Sequence, residues 1–275
     1  MKIAFQGEPG AYSEAAALEF FEPGAQTIPC ETFDDVFNRV DTRECDAGLI
    51  PIENSLAGSI HHNYDLLQQR SLTIIGEHFL RVHHCLIGFP GVQMQSLRQV
   101  ISHPQALAQC EGTLKSMPWI RPEPVYDTAG SVKMVRERGD RSVAAIASRR
   151  AADFYGMAVL AEGIEDDPAN YTRFLAIARE PVTPGSQAKT SIVFSVANVP
   201  GSLYQALSIF ALRGLDLTKI ESRPLVGKPW DYLFYIDFAG SVEDPPVRQA
   251  LDELGRKAMI LRILGSYPRS PAPNS

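Results

Sequence analysis

Residues 170–197 read NYTRFLAIAREPVTPGSQAKTSIVFSVA, and they divide the chain into two kinds of sequence. An amide, a hydroxyl and a guanidinium (Asn170, Thr172, Arg173) stand at the head of an apolar run, Phe174–Ala178. Pro181–Ala188, rich in proline and small polar residues, reads as a linker. Lys189–Ala197 then alternates apolar and polar residues, as a half-buried strand does. Taken alone, Asn170–Phe174 is better explained by a strand entry than by a functional site.

Upstream of the junction, strand and helix signals alternate. Lys2–Gln6 reads as a strand, Gly7–Gly10 as a turn, and Ser13 as the cap of a helix through Glu14–Leu18. Thr32 and Asp35 form a capping box ahead of Val36, Phe37 and Val40 at helical spacing. Ala47–Ile52 has the composition of a buried strand. Leu72–Ile75, Val82–Gly88, Gln99–Ile101, Val125–Tyr126, Ser142–Ala147 and Met157–Ala161 read as extended. Helices are expected from Pro104 to about Leu114, over Ser131–Arg138 and over Arg149–Tyr155. These are more units than one small sheet holds, and two α/β lobes with a cleft between them accommodate them.

Downstream the order is βαββαβ, a ferredoxin-like unit. Its helices run from Pro200-Gly201-Ser202, with Leu203, Ala206, Leu207 and Phe210 on one face, and over Pro246–Ala258. Its further strands are Leu217–Leu225, Asp231–Ala239 and Leu261–Tyr267, with a turn at Val226–Trp230 and a tail from Pro268 expected to be disordered. The expected division is residues 1–180, 189–268 and a tail, 269–275.

Bulk properties narrow the function. A net charge of −6 with scattered Lys and Arg offers no basic surface for nucleic acid. No apolar run approaches the ~18 residues of a membrane helix, and the N-terminus lacks a signal-peptide pattern. A soluble cytoplasmic protein is therefore expected. Cys30, Cys45, Cys85 and Cys110 have no CxxC spacing and read as buried thiols. His61-His62 and His83-His84 are adjacent pairs, which cannot form an i, i+4 metal face. Gly7–Ser13 joins a strand to a helix but matches no nucleotide-binding fingerprint, leaving only an anion near the helix start. No nucleophile elbow surrounds any serine. No metal, redox group or other cofactor is expected.

Three polar clusters follow strands: Glu53-Asn54-Ser55, Ser102-His103-Pro104-Gln105 and Asp127-Thr128. Each taken singly is an ordinary cap or turn. Ligands in open α/β sheets bind beyond the carboxyl ends of strands, where all three clusters fall. With Asn170–Phe174 they make a pocket of neutral donors with one Arg and one Glu. Such a pocket suits a reaction driven by the substrate's own electronics, or equally a small-molecule sensor.

These motifs carry a resemblance. Ile3–Gly7 with Gly10–Ser13, Pro51–Ser55, Ser102–Ala106 and Asn170–Phe174 stand in the order seen in prephenate dehydratases, and Gly201–Leu203 with Ile220–Pro224 resemble the phenylalanine-binding motifs of their ACT regulatory domain. The resemblance implies a two-lobed, periplasmic-binding-protein-like catalytic domain followed by an ACT domain. It implies a carbon–oxygen lyase of phenylalanine biosynthesis, converting prephenate to phenylpyruvate, CO₂ and water without a cofactor. It places Thr172 as the acid-assisting residue, with Glu53, Asn54 and Ser102 beside it. Arg173, Ser55, Gln109, Thr128 and Phe174 would bind substrate. In that reading Arg173 holds the side-chain carboxylate, Asn54 and Ser102 serve the ring carboxylate, and Phe174 packs.

L-Phenylalanine is expected as effector, bound between paired ACT domains of a homodimer or homotetramer at Gly201, Ser202, Leu203, Asp216, Glu221, Ser222, Arg223 and Pro224. The family commonly has Ala at 202 and Asn at 216, so the effector's strength and sign stay open. A fused chorismate mutase segment is not expected. An arogenate dehydratase and a non-catalytic amino-acid sensor of the same fold remain alternatives.

Overall fold

A computed structural model describes residues 1–225, 227, 228, 230–271 and 273. In chain order the first elements are β1 (Lys2–Gln6), α1 (Tyr12–Phe20), β2 (Gln26–Cys30), α2 (Phe33–Asp41), β3 (Ala47–Asn54), β4 (Gly58–Ser59), α3 (His61–Gln69) and β5 (Thr73–Arg81). Next come β6 (Cys85–Gly88), β7 (Gln99–Ser102), α4 (Pro104–Gln109), α5 (Glu111–Lys115), β8 (Arg121–Pro124), α6 (Thr128–Arg138), β9 (Val143–Ala147), α7 (Arg149–Tyr155), β10 (Ala158–Glu162) and β11 (Tyr171–Ala178). The last are β12 (Ala188–Ser195), α8 (Ser202–Ala211), β13 (Leu217–Pro224), β14 (Tyr232–Ala239), α9 (Pro245–Lys257) and β15 (Ile260–Pro268).

Strands β2-β1-β3-β11-β5 form one mixed sheet, with β4 beside β3. A second has the order β10-β6-β9-β7-β8, and the third, β13-β14-β12-β15, is antiparallel throughout. β1 is fully buried from Ile3 to Phe5 and pairs in parallel with β2 and β3, as its apolar run requires. Phe5 and Ala11 share a core with Ile87, Ala145, Val132 and Ala152, so the first two lobes are packed together.

The chain forms two compact units. One is built from Met1–Ile60 and His78–Phe174, the other from His61–Glu77 and Leu175–Pro271. The second unit therefore takes α3 and the start of β5 along with the antiparallel sheet. Arg262 donates to the Gln68 carbonyl (2.7 Å), Tyr235 to the Tyr64 carbonyl (3.0 Å), and Lys189 pairs with buried Glu77 at 2.6 Å. A Cβ at Gly265 would overlap the Ile74 carbonyl, so only glycine fits that approach. The core of this unit is Ile192, Phe194, Ala206, Phe210, Phe238 and Leu254.

Several local expectations change. Helix α1 starts at Tyr12 with Ala11 at its N-cap, so Ser13 lies inside it. The expected helix through Leu114 breaks at Cys110. Helix α6 starts three residues early because Asp127 accepts a hydrogen bond from the Gly130 N–H at 3.1 Å. The strand expected at Val125–Tyr126 is instead β8, whose two prolines are tolerated because it is an edge. β12 alternates in sequence but is buried throughout. Its polar residues bond within the unit: Thr190 with Ser266 at 3.0 Å, and Ser191 with Asp237 at 2.6 Å and Tyr267 at 2.7 Å. The start of the tail is held, since Arg269 N–H donates to Gln187 and Ser270 N–H to Glu77. Ala272, Asn274 and Ser275, and Val226 and Pro229 of the expected turn, lie outside the described residues. Among the described residues no helix is long and apolar enough to cross a membrane.

Candidate active site

Asn54, at the carboxyl end of β3, is the hub of a buried neutral cluster. Its Oδ1 accepts from the Leu56 and Ala57 N–H groups at 3.1 and 2.9 Å, an Asx-type turn that ends the strand. Its Nδ2 donates toward Asn170 Oδ1 (2.8 Å), the Tyr171 carbonyl (3.1 Å) and Thr172 Oγ1 (3.0 Å). Both Asn54 hydrogens are thereby engaged, so Asn54 is not the ring-carboxylate donor the sequence suggested. A hydroxyl oxygen that accepts from an amide keeps its own hydrogen for another acceptor.

Thr172 and Arg173 are neighbours on a strand and so face opposite ways. Arg173, nine-tenths buried, lines a cavity of about 570 Å³ with Glu53, Ser55, Phe79, Arg81 and Tyr171. Neither Thr172 nor Asn54 lines it. The expected arrangement, Thr172 and Arg173 on one substrate surface, is thus split by strand alternation into a neutral face and a charged face. Ser55 ties the turn together: its Oγ donates to Ala169 (2.8 Å) and accepts from the Tyr171 N–H (2.9 Å). Phe174 is 1% exposed and serves the core.

The remaining expected residues lie in the second lobe, each in its own contacts. Ser102 is fully buried and gives its hydrogen to the Ile146 carbonyl at 2.6 Å, so it is not a free donor. His103 caps α4, accepting from the Gln105 N–H at 3.2 Å. Gln109 contacts His84 Nε2 at 2.9 Å, and His84 Nδ1 contacts Tyr12 Oη at 2.9 Å. Glu165 completes this second cluster, accepting from the His84 N–H and meeting His83 Nδ1 at 3.0 Å. Burial holds the His84 pKa below its ordinary value, opposed by the Gln109 hydrogen bond. Burial also pushes the Tyr12 phenol well up. Thr128 opens α6, its carbonyl accepting from Ser131. Glu165, Phe79 and Arg81 stand in none of the sequence motifs, whereas Tyr12 and Asn170 stand in them without a role; the i, i+2 spacing of Asn170 to Thr172 puts both on one face.

The anion site expected at Gly7–Ser13 is filled by the chain's own Glu14. Its carboxylate takes the Gly10 N–H (2.8 Å), Thr27 Oγ1 (2.9 Å) and Arg150 Nε (2.9 Å). Burial raises its pKa, but these hydrogen bonds together bring it below the ordinary value. Gln6, Glu8, Glu31, Tyr126 and Asp127 line a cavity of about 510 Å³ at the strand ends. Its carboxylates repel a dianion. Among the described residues no group of three His, Cys, Asp or Glu side chains is placed to hold a metal, and the four cysteines are buried thiols outside any disulfide.

In the second unit, Gly201 has φ +85° and opens α8, a left-handed position that suits glycine. Leu203 packs on the core, Ser202 starts the helix, and Asp216 is exposed. Glu221 and Arg223 share one face of β13, as their spacing predicts, but that face meets α3. Arg223 Nη2 reaches Asp65 Oδ2 at 2.7 Å and Glu221 meets His61 at 3.2 Å. Ile220, Ser222 and Pro224 are the exposed members of the motif.

A two-lobed α/β unit is followed in the chain by a βαββαβ unit, an arrangement that small-molecule enzymes and amino-acid sensors share. Residues 3–182 match the prephenate dehydratase family and residues 190–256 the ACT domain. The chain belongs to the prephenate dehydratase family, and it is a dehydratase-type enzyme of aromatic amino-acid biosynthesis. It is 49% identical, over 98% of its length and 73% of the relative's, to arogenate dehydratase/prephenate dehydratase 2, chloroplastic, of Arabidopsis thaliana. It is similar to the prephenate dehydratase from Arthrobacter aurescens in complex with L-Phe: 34% identity, TM-score 0.90, 100% of this chain and 93% of that one. It is also similar to GqqA, described as a novel type of quorum quenching acylase: 40% identity, TM-score 0.91, 98% and 99% covered. The expectation of a cytoplasmic protein does not stand. Relatives 49% and 48% identical are named chloroplastic, so the character of the N-terminus does not fix the compartment.

Proposed function

We propose that the chain is a prephenate dehydratase in which Thr172 donates to the departing ring hydroxyl. The observation that carries this is the Asn54–Thr172 hydrogen bond, which leaves the Thr172 hydrogen unspent. The C1–carboxylate bond breaks, and its electron pair enters the ring as CO₂ leaves. The C4–oxygen bond breaks with its pair on oxygen, giving hydroxide, which a solvent proton converts to water. Aromatisation supplies the driving force. The protein's task is to stabilise charge on the leaving oxygen. Thr172 meets no described imidazole or carboxylate that would make it a nucleophile, which separates this reading from acyl transfer.

Arogenate, with an amino group in place of the side-chain ketone, is the second reading. The names of the relatives favour it, several of which are arogenate dehydratases. L-Phenylalanine is the proposed effector, at the Gly201–Leu203 turn and the exposed Ser222–Pro224 edge of β13, in an assembly of paired ACT domains. The complex of the Arthrobacter aurescens relative with L-Phe supports this.

The test is turnover of prephenate and arogenate, with and without phenylalanine, by wild type and Thr172→Ala. The proposal expects aromatic product from wild type and its loss in the variant with the fold intact. A fully active Thr172→Ala overturns it. Phenylalanine binding without turnover of either substrate would instead make the protein a sensor.

A further inference from the structure

Asn54 Oδ1 accepts from two backbone N–H groups, Leu56 and Ala57. Backbone nitrogens only donate, so these bonds fix which end of the Asn54 amide is oxygen. Its Nδ2 must then face Asn170, which must answer with Oδ1 at 2.8 Å. The orientation of Asn170 is therefore determined too. Its own Nδ2 is buried and has no hydrogen-bond partner among the described residues. A buried donor without a partner weakens a fold, so the amide nitrogen is not what the fold gains here; the oxygen is. Asn170 is itself fixed, with a fully buried side chain and a carbonyl that accepts from the Val82 N–H at 2.8 Å.

We infer that Asn170 is a positioning residue for the reaction. Its Oδ1 pins one Asn54 hydrogen and leaves the other between the Tyr171 carbonyl and Thr172 Oγ1. Thr172 is thereby held as an acceptor toward the protein, and its hydrogen is turned to the leaving oxygen. Without Asn170 the Asn54 amide can rock, and the hydroxyl can spend its hydrogen on a protein carbonyl. This inference rests on Thr172 being the donor.

The test measures kcat, KM and thermal midpoint for Asn170→Ala, Asn170→Asp, Asn54→Ala, Asn54→Ala/Asn170→Ala and Thr172→Ala, on whichever of prephenate and arogenate the wild type turns over. Asn170→Ala is expected to lower kcat about tenfold, the size of one oriented hydrogen bond, with KM within about twofold. It is expected to add nothing in the Asn54→Ala background. Asn170→Asp keeps the oxygen that Asn54 needs and places a titratable carboxyl beside the leaving anion. Its kcat is expected to fall as pH rises through that carboxyl's pKa, a limb absent from wild type; the hydrogen-bond partners of Asn170, the Asn54 amide and the Val82 N–H, do not titrate. Wild-type kcat in Asn170→Ala, losses that multiply in the double variant, or a wild-type pH profile in Asn170→Asp overturns the inference. If Asn170→Ala fails to fold, the isosteric Asp variant decides alone. A dead Thr172→Ala beside an unaffected Asn170→Ala removes only this inference. An active Thr172→Ala removes the donor reading beneath it, as does a wild type that turns over neither substrate.

Discussion

The same two strand ends carry two different chemistries. On one face of the β3–β11 pair, Asn54, Asn170 and Thr172 form a neutral cluster in which amides hold a hydroxyl. On the other, Glu53, Arg81 and Arg173 line a cavity beside Phe79 and Tyr171. Alternation along a strand is sufficient cause, since residues 53 and 173 point one way and 54 and 172 the other. The neutral face suits a leaving oxygen, because a charged partner would also stabilise the ground state. The charged face suits carboxylates or the fold itself. Adjacency in sequence therefore does not put Thr172 and Arg173 on one face.

The largest effect expected from this contrast is at the neutral face. Thr172→Val, which removes the hydroxyl but keeps the shape, should lower kcat by about 10²–10⁴ with an unchanged circular dichroism spectrum. Asn54→Ala should cost about tenfold in kcat, measured in the same assay, because Thr172 survives but loses its orientation. At the charged face, Arg173→Gln should lower the thermal midpoint by about 5 °C, as loss of a buried charge does, while kcat stays within about threefold. A tenfold rise in KM with an intact fold would show that both faces serve one ligand after all.

Smaller effects are expected further away. Asp65→Asn frees Arg223 from its 2.7 Å ion pair. It should tighten phenylalanine binding by about fivefold in titration calorimetry, the low end of the usual range of coupling energies. Burial lowers the pKa of His84 from 6.5, so on acidification the unfolded chain takes up this proton first. The stabilisation is complete above the ordinary value and fades as pH falls. A His84→Asn variant should flatten the wild-type decline in thermal midpoint between about pH 7 and 5 by about 2 °C.

Much of this was legible in the residues. Period-2 and period-3.6 patterns, with the linker at Pro181–Ala188, placed most elements; the polar clusters that hold Asn54 and Thr172 stood out by position at strand ends, and the roles expected of them came from the family resemblance. What escaped was tertiary. No pattern in Gly7–Ser13 shows that Glu14 and Arg150, 136 positions apart, occupy the helix start. Nothing local to Ser102 shows that its hydrogen goes to Ile146, nor that α3 covers Glu221 and Arg223. The orientation of Asn170 follows only from a chain of hydrogen bonds that spans residues 54 to 172.

The central claim is that Thr172 donates to the leaving oxygen and that Asn54 acts through it. A double-mutant cycle of kcat for Asn54→Ala and Thr172→Val tests this most directly. The account predicts that the double variant is no slower than Thr172→Val alone, because the amide has nothing left to orient. Losses that multiply would contradict it, since Asn54 would then reach the substrate on its own.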